Sequence, residues 1–177
     1  MNKRTTLPRN WRNNNPLNIR RSKDQWQGLA DVQNDKAFCQ FRAMKYGWRA
    51  AFMLLCRKYY YTYRLVTIRQ IISRWAPSTE NDTRNYTEWV AAQVGIDADQ
   101  QLPQPDDEGR DTWLRLALAM ALYEGMLQPH QLMRVNIWEI VEGWGIKGPP
   151  PTPPKEGRQR PLPPLILEGE NAPSKPV

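Results

Sequence analysis

The run LRLALAMALYEG, residues 114 to 125, constrains this chain more than any other stretch. From Leu114 to Tyr123 only Arg115 is charged. Leu114, Ala117, Leu118, Ala121 and Leu122 fall on one helical face, and Leu116, Ala119 and Met120 carry that face round the cylinder. A helix apolar on nearly all sides has to be buried, so the rest of the fold must wrap it. Asp111 is a candidate N-cap, and Gly125 and Pro129 mark its end. Its last turn carries Glu124, a carboxylate at the negative end of the helix dipole. Burial and the dipole both push a carboxyl pKa upward, which is what a general acid working near neutral pH requires. The competing reading has Glu124 simply emerging into solvent, paired with an arginine.

Ten of the sixteen prolines lie between Pro149 and Pro176, which separates a tail from the folded part. The expected division is a flexible basic arm over 1–8, one domain over 9–147 and a Pro-rich disordered tail over 148–177. LPPLIL is the tail's one apolar segment, and the tail reads as a spacer or a docking peptide. The net charge of +7 is uneven: Lys3, Arg4, Arg9, Arg12, Arg20, Arg21 and Lys23 precede the first acid, Asp24. Such an arm suits nucleic acid, acidic lipid headgroups or an anionic wall polymer. No recognition motif accompanies it, so nucleic acid ranks last among these partners.

No run of 18 apolar residues exists, so no transmembrane segment is expected, and the N-terminus lacks the apolar core of a secretory signal. If the protein reaches a cell envelope, something else must carry it there. Cys39 and Cys56 sit in apolar contexts and read as buried free thiols, and the single His130 completes no metal set. Neither a metal nor another cofactor is expected.

Hydrophobic spacing predicts a mainly α class. Trp48, Ala51, Phe52, Leu55 and Tyr59 predict a helix from Tyr46 to Tyr63, and Thr67 with Gln70 reads as a capping box opening a short helix that closes before Pro77. Asp82 or a neighbour starts a helix with Tyr86, Trp89, Val90 and Val94 inward, ending at Gly95. A last helix is expected from about Gln131 to Gly143, with Ile137, Trp138 and Ile140 mostly inward. Residues 9 to 42 predict loops and short strands.

Three stretches in order carry a family resemblance: RNNNPLNIR (12 to 20), FCQFRAMKYGWRAAFMLL (38 to 55) and IISRWAPSTENDTRNYTEWV (71 to 90). With Trp26-x-Gly28 between the first two, they resemble phage and prophage virion-associated proteins that read NNPGNIR, W-x-G, F-x-x-F, YG-x-RA and WAP-x-x-EN-x-T-x-x-Y. Leu17 departs from the family's usual Gly. The resemblance covers about residues 11 to 143 and implies a lysozyme-like helical domain that degrades peptidoglycan. It also implies a location in the virion or the host cytoplasm with action on the bacterial cell wall, and other virion or lysis proteins as partners of the Pro-rich tail. Family members often end a late apolar helix in Glu-Asn-Gly; here Glu124 is kept and Gly125-Met126 follows.

A second similarity is to peptidoglycan glucosaminidases, in which a glutamate helix precedes an Asn-rich loop, W-x-G and F-x-x-Y. Here the loop comes first and the glutamate helix last, which implies a circular permutation that packs Glu124 beside Asn14 and Asn18. On these resemblances the chain would cleave glycan strands as a muramidase, lytic transglycosylase or glucosaminidase. Glu124 would be the acid, and Glu80 or Asp82 in the STENDT loop a second carboxylate. Asn14, Asn18 and Tyr123 would contact substrate, although Asn14 and Asn18 equally suit turns around Pro16. Trp75 reads as core. The alternative is a virion structural or wall-binding protein that keeps the fold without catalysis.

Overall fold

The computed structural model describes residues 7–77, 82–125 and 135–148. The basic arm before Leu7, the tail after Gly148, Glu80 and His130 lie outside the described residues. The described elements are α1 (Arg9–Arg12), α2 (Met44–Phe52), a π-wound continuation of α2 (Met53–Thr62), α3 (Ile68–Trp75), α4 (Thr83–Val94), α5 (Arg110–Gly125) and α6 (Ile137–Ile146). The class is mainly helical as expected. No helix among the described residues is long and apolar enough to cross a membrane.

Expected short strands over 9 to 42 are reduced to isolated antiparallel bridges, Arg20 with Phe38 and Leu29 with Phe41. The physical reason is that side-chain amides do the work of a ladder. Asn15, fully buried, donates from Nδ2 to the carbonyls of Ile19 and Cys39 at 2.9 Å each, and its Oδ1 accepts from Ile19 N at 2.8 Å. Gln40 Oε1 accepts from the Asn34 and Asp35 amides, and Gln33 Nε2 donates to the Ala30 and Gln40 carbonyls. Buried backbone groups must be paired somehow, and here asparagine and glutamine pair them.

Asp35 closes the loop. Arg9 grips it through two guanidinium nitrogens at 2.6 Å each, and Asn13 Nδ2 and the Ala37 and Phe38 amides also donate to it. The Arg9 guanidinium foremost, with those neutral donors, holds the Asp35 carboxyl well below the usual carboxylate range against the opposing effect of burial.

The stripe Trp48, Ala51, Phe52, Leu55 and Tyr59 is buried throughout, as its spacing predicts. α2 packs on α6, where the Trp144 ring meets Phe52 edge-on at 5.3 Å. Gly47 keeps α2 close to the asparagine loop: a Cβ there would lie 2.0 Å from the Asn14 carbonyl oxygen. The capping box forms, with Gln70 N donating to Thr67 Oγ1 and Thr67 N to Gln70 Oε1, both at 3.2 Å. Both cysteines are buried and free.

α5 is central, touching α1, α4 and α6. Its innermost face is Trp113, Leu116, Ala117, Met120 and Ala121, one position round from the expected one, and Leu114, Leu118 and Leu122 are half-buried. Spacing fixes a helix's period, while the neighbours' shapes fix which apolar arc lies deepest. The helix starts at Arg110, so Asp111 lies in its first turn; Asp106 Oδ1 holds the entry by accepting from Gly109 N.

α6 also differs from expectation. Asn136 caps it, and Ile140, Gly143 and Trp144 point inward, while Ile137 and Trp138 are 62 % and 78 % exposed in its first turn.

Asn15→Ala is expected to destabilise the chain by about 3 kcal/mol, because it orphans two carbonyls and an amide in a dry site. Urea unfolding at neutral pH checks this; a loss under 1 kcal/mol would sink the role given to Asn15. A second expectation concerns acid. The folded-state pKa of Asp35 is depressed, so its stabilisation is complete above the unfolded-state value of about 4 and is lost as pH falls through the folded value. Below about pH 4, wild-type stability should fall more steeply than that of Asp35→Asn, which lacks this contribution at every pH.

A candidate active site at the end of the central helix

Glu124 occupies the last turn of α5, half-buried. Its Oε1 accepts from Trp75 Nε1 at 3.0 Å and from the Tyr86 hydroxyl at 3.2 Å. Its Oε2 faces Asn18 Nδ2, which donates across 3.5 Å. Three separate parts of the chain thus meet on one carboxylate: the end of α3, the first turns of α4 and the asparagine loop.

Local sequence sets each of these positions. The Thr67 capping box fixes the phase of α3, so that Ile68, Ile71, Ile72 and Trp75 all face inward with no exposed surface. Pro77 then disfavours helix at Ala76, and α3 stops with its indole against α5. Asp82 caps α4 by accepting from Asn85 N, and Thr83 Oγ1 donates to the Ala76 carbonyl at 2.6 Å, tying the two helices together. That phase turns Tyr86 fully inward. Asn18 sits at φ 50°, in the left-handed region that asparagine tolerates better than most residues. Gly125 completes the joint: a Cβ there would lie 2.8 Å from Asn10 Oδ1 and 3.2 Å from Trp11 Nε1.

Beside the carboxylate stands an aromatic shelf. Tyr123 stacks on Tyr86 with centroids 3.9 Å apart and planes 10° off parallel, and Trp89 tilts against Tyr123 at 5.7 Å. Trp89, expected inward, is 37 % exposed because its ring packs on this shelf rather than in the core. Burial first, and then the Glu124 charge, hold the Tyr86 phenol well above its ordinary pKa, so it stays an O–H donor. Burial, then the charges of Asp82 and Glu124, also raise Tyr123. Two buried polar atoms at the joint, Asn18 Oδ1 and Trp11 Nε1, have no hydrogen-bond partner among the described residues.

Of the residues the sequence points to, Glu124, Asn18 and Tyr123 come together. Asn14 does not join them: its Nδ2 donates to the Phe41 carbonyl at 3.0 Å and pins the loop. Glu80 is outside the described residues, and Asp82 serves as the α4 cap. Sequence reasoning missed Trp75 and Tyr86 as the donors that orient Glu124, and Trp89 as part of the shelf. The signal available was the WAP-to-Tyr block itself, whose Trp and Tyr each carry one polar atom that needs a partner when buried. The assembly is a carboxyl group oriented by an indole, a phenol and an amide, beside ring faces and an unsatisfied buried acceptor.

No family model matches the chain. It is 44% identical over 145 residues to "Protein P5" of Pseudoalteromonas phage PM2, a match that spans 79% of this chain and 83% of that protein. The chain belongs to the family of that phage protein.

Tyr86→Phe removes the hydroxyl that reaches both Glu124 and the Met120 carbonyl while leaving the stacked ring. It should cost about 1 kcal/mol of stability. In a double-mutant cycle with Glu124→Ala the two losses should fall short of additive, since each removes the same bond. Strict additivity would mean the contact carries no energy.

Proposed function

We propose that this member of the phage P5 family cleaves the glycan strands of peptidoglycan, with Glu124 as the general acid. The observation that carries the reading is the grip on Glu124: a carboxyl at the end of a central helix, oriented by Trp75, Tyr86 and Asn18 from three directions. Positioned proton transfer needs that kind of fixed geometry. Trp75 and Tyr86 both engage Oε1, which sets the plane of the group, and the carboxyl so held would pass its proton to a glycosidic oxygen. The same group would then act as base toward the incoming nucleophile. Tyr123 and Trp89 would receive sugar ring faces, and Asn18 would contact an acetamido group beside them. Stabilisation of the developing cation would come from the substrate's own acetamido group or from a second carboxylate, Glu80 or Asp82. The packing of the late glutamate helix against the Asn18 loop agrees with a circularly permuted lysozyme-like domain.

A second reading is a virion or wall-binding module without catalysis. Two observations favour it: Gly125-Met126 stands where Asn-Gly commonly follows the glutamate, and Glu124 joins α3, α4 and the asparagine loop to α5, which is a structural role in itself.

Purified protein and Glu124→Gln are compared on insoluble cell walls, with released fragments read by mass spectrometry. Glutamine keeps an acceptor oxygen for Trp75 and Tyr86, so the variant should stay folded while release falls at least about 100-fold. Anhydro or reducing ends, on muramic acid or glucosamine, would name the reaction. If neither protein releases fragments although both are folded and pellet with walls, the non-catalytic reading stands in its place.

A further inference from the structure

Away from Glu124, α2 and its π-wound continuation line one side of an open cleft of about 450 Å³. The i→i+5 winding is visible in Tyr63 N donating to the Lys58 carbonyl. The extra residue per turn brings Arg57 and Lys58 together onto the face that Arg49 and Met53 already occupy, with Thr62 one turn on. The cleft therefore has three cationic side chains. Its one acid, Asp24, stands on the loop side with its Oδ2 accepting from the Ser22 hydroxyl at 2.9 Å. Trp26 forms part of the wall, and its indole N–H is buried with no acceptor among the described residues.

The two guanidiniums are held in place. Arg49 Nε donates to the Ile146 carbonyl and an Arg57 Nη to the Lys147 carbonyl, each at 3.3 Å, which fits cations to the C-terminal end of α6. That explains their orientation; beside them Thr62 Oγ1 donates to the Arg57 carbonyl, and the Lys58 ammonium stands 5.9 Å from the Tyr63 ring centroid. Burial foremost, and then the Arg57 charge, lower the Arg49 pKa, so positive charge is gathered here against its own repulsion. Two fixed guanidiniums beside an ammonium supply the positive charge that suits the oxygens of phosphate.

We propose that this cleft is a phosphate-binding site, in which Arg49, Arg57 and Lys58 hold a phosphate group against the Trp26 wall. The site is separate from Glu124 and stands whether or not the chain cleaves glycan.

The test is a titration of the full chain with inorganic phosphate at constant ionic strength, followed by two-dimensional proton–nitrogen NMR. Saturable shifts are expected at the Trp26 indole and at the Lys58 and Thr62 amides. Lys58→Gln and Arg49→Gln should each weaken binding about tenfold. Lys58 lies at the rim, so its variant keeps the experiment decisive if Arg49→Gln fails to fold. A second arm adds phosphatidylcholine or phosphatidylglycerol vesicles as competitors. Displacement of phosphate by both kinds would identify lipid phosphodiester as a source, and no displacement would identify phosphate carried in solution or on a polymer. Absence of saturable shifts at these residues, or wild-type affinity in both variants, would overturn the site.

Discussion

A buried primary amide ties the asparagine loop, one half of a joint, to α5, the other half. Asn10, fully buried in α1, donates from Nδ2 to the Pro16 carbonyl and to the Ala121 carbonyl, and its Oδ1 accepts from Trp11 N. The first bond fixes the turn that leads to Asn18, and the second fixes that turn against the last turns of α5. Neither half can shift without leaving a buried polar group unpaired, which costs more than an ordinary hydrogen bond contributes. The Glu124–Asn18 contact exists because this joint holds the two backbones in register. Gly125 shows how close the fit is, since even a methyl group there would meet Asn10.

What could be read from the sequence was whatever depends on local periodicity. The α2 stripe, the Thr67–Gln70 box and the stop at Pro77 all follow from residues within a turn or two of one another. The meeting of Glu124 with Asn18, 106 residues apart, came only from an ordered resemblance to other proteins, because no local rule reaches that far. Trp75 and Tyr86 were legible as core and not as hydrogen-bond donors. An apolar pattern records that a ring is buried and is silent about where its one polar atom points. The N-terminal segment misled in another way. It read as loops and short strands, but its asparagines and glutamines offered the backbone closer partners than a second strand would.

The two sites use opposite chemistry. At Glu124 the protein surrounds an acid with an indole, a phenol and an amide, groups that aim an oxygen through geometry. Tyr86 suits this because burial and the neighbouring carboxylate keep its proton in place. In the cleft beside Trp26 the recognition elements are charged, and they are fixed by helix-end carbonyls. An ion is recognised by countercharge, whereas a sugar must be recognised by shape and by neutral donors and acceptors. Each set of residues suits one of these tasks and would serve the other poorly.

Both sites also fall where regular structure gives way. Asn14 and Asn18 take left-handed backbone conformations, and the loop they shape presents one amide to Glu124. α2 widens into π-type turns only from Met53 onward, the stretch that brings Arg57 and Lys58 onto one face, and Arg64, just beyond it, is again left-handed. A regular helix would have spread those cations over more of its circumference, and a strand in place of the asparagine loop would have carried Asn18 away from α5. Irregular backbone is harder to hold than helix or ladder, and this chain holds it with buried amides at Asn10 and Asn15 and with the Arg9–Asp35 fork. Conformations that need such support persist where the geometry they produce is put to use. By that reasoning the π segment carries as strong a functional signal as the glutamate helix, although only the helix announces itself in the sequence.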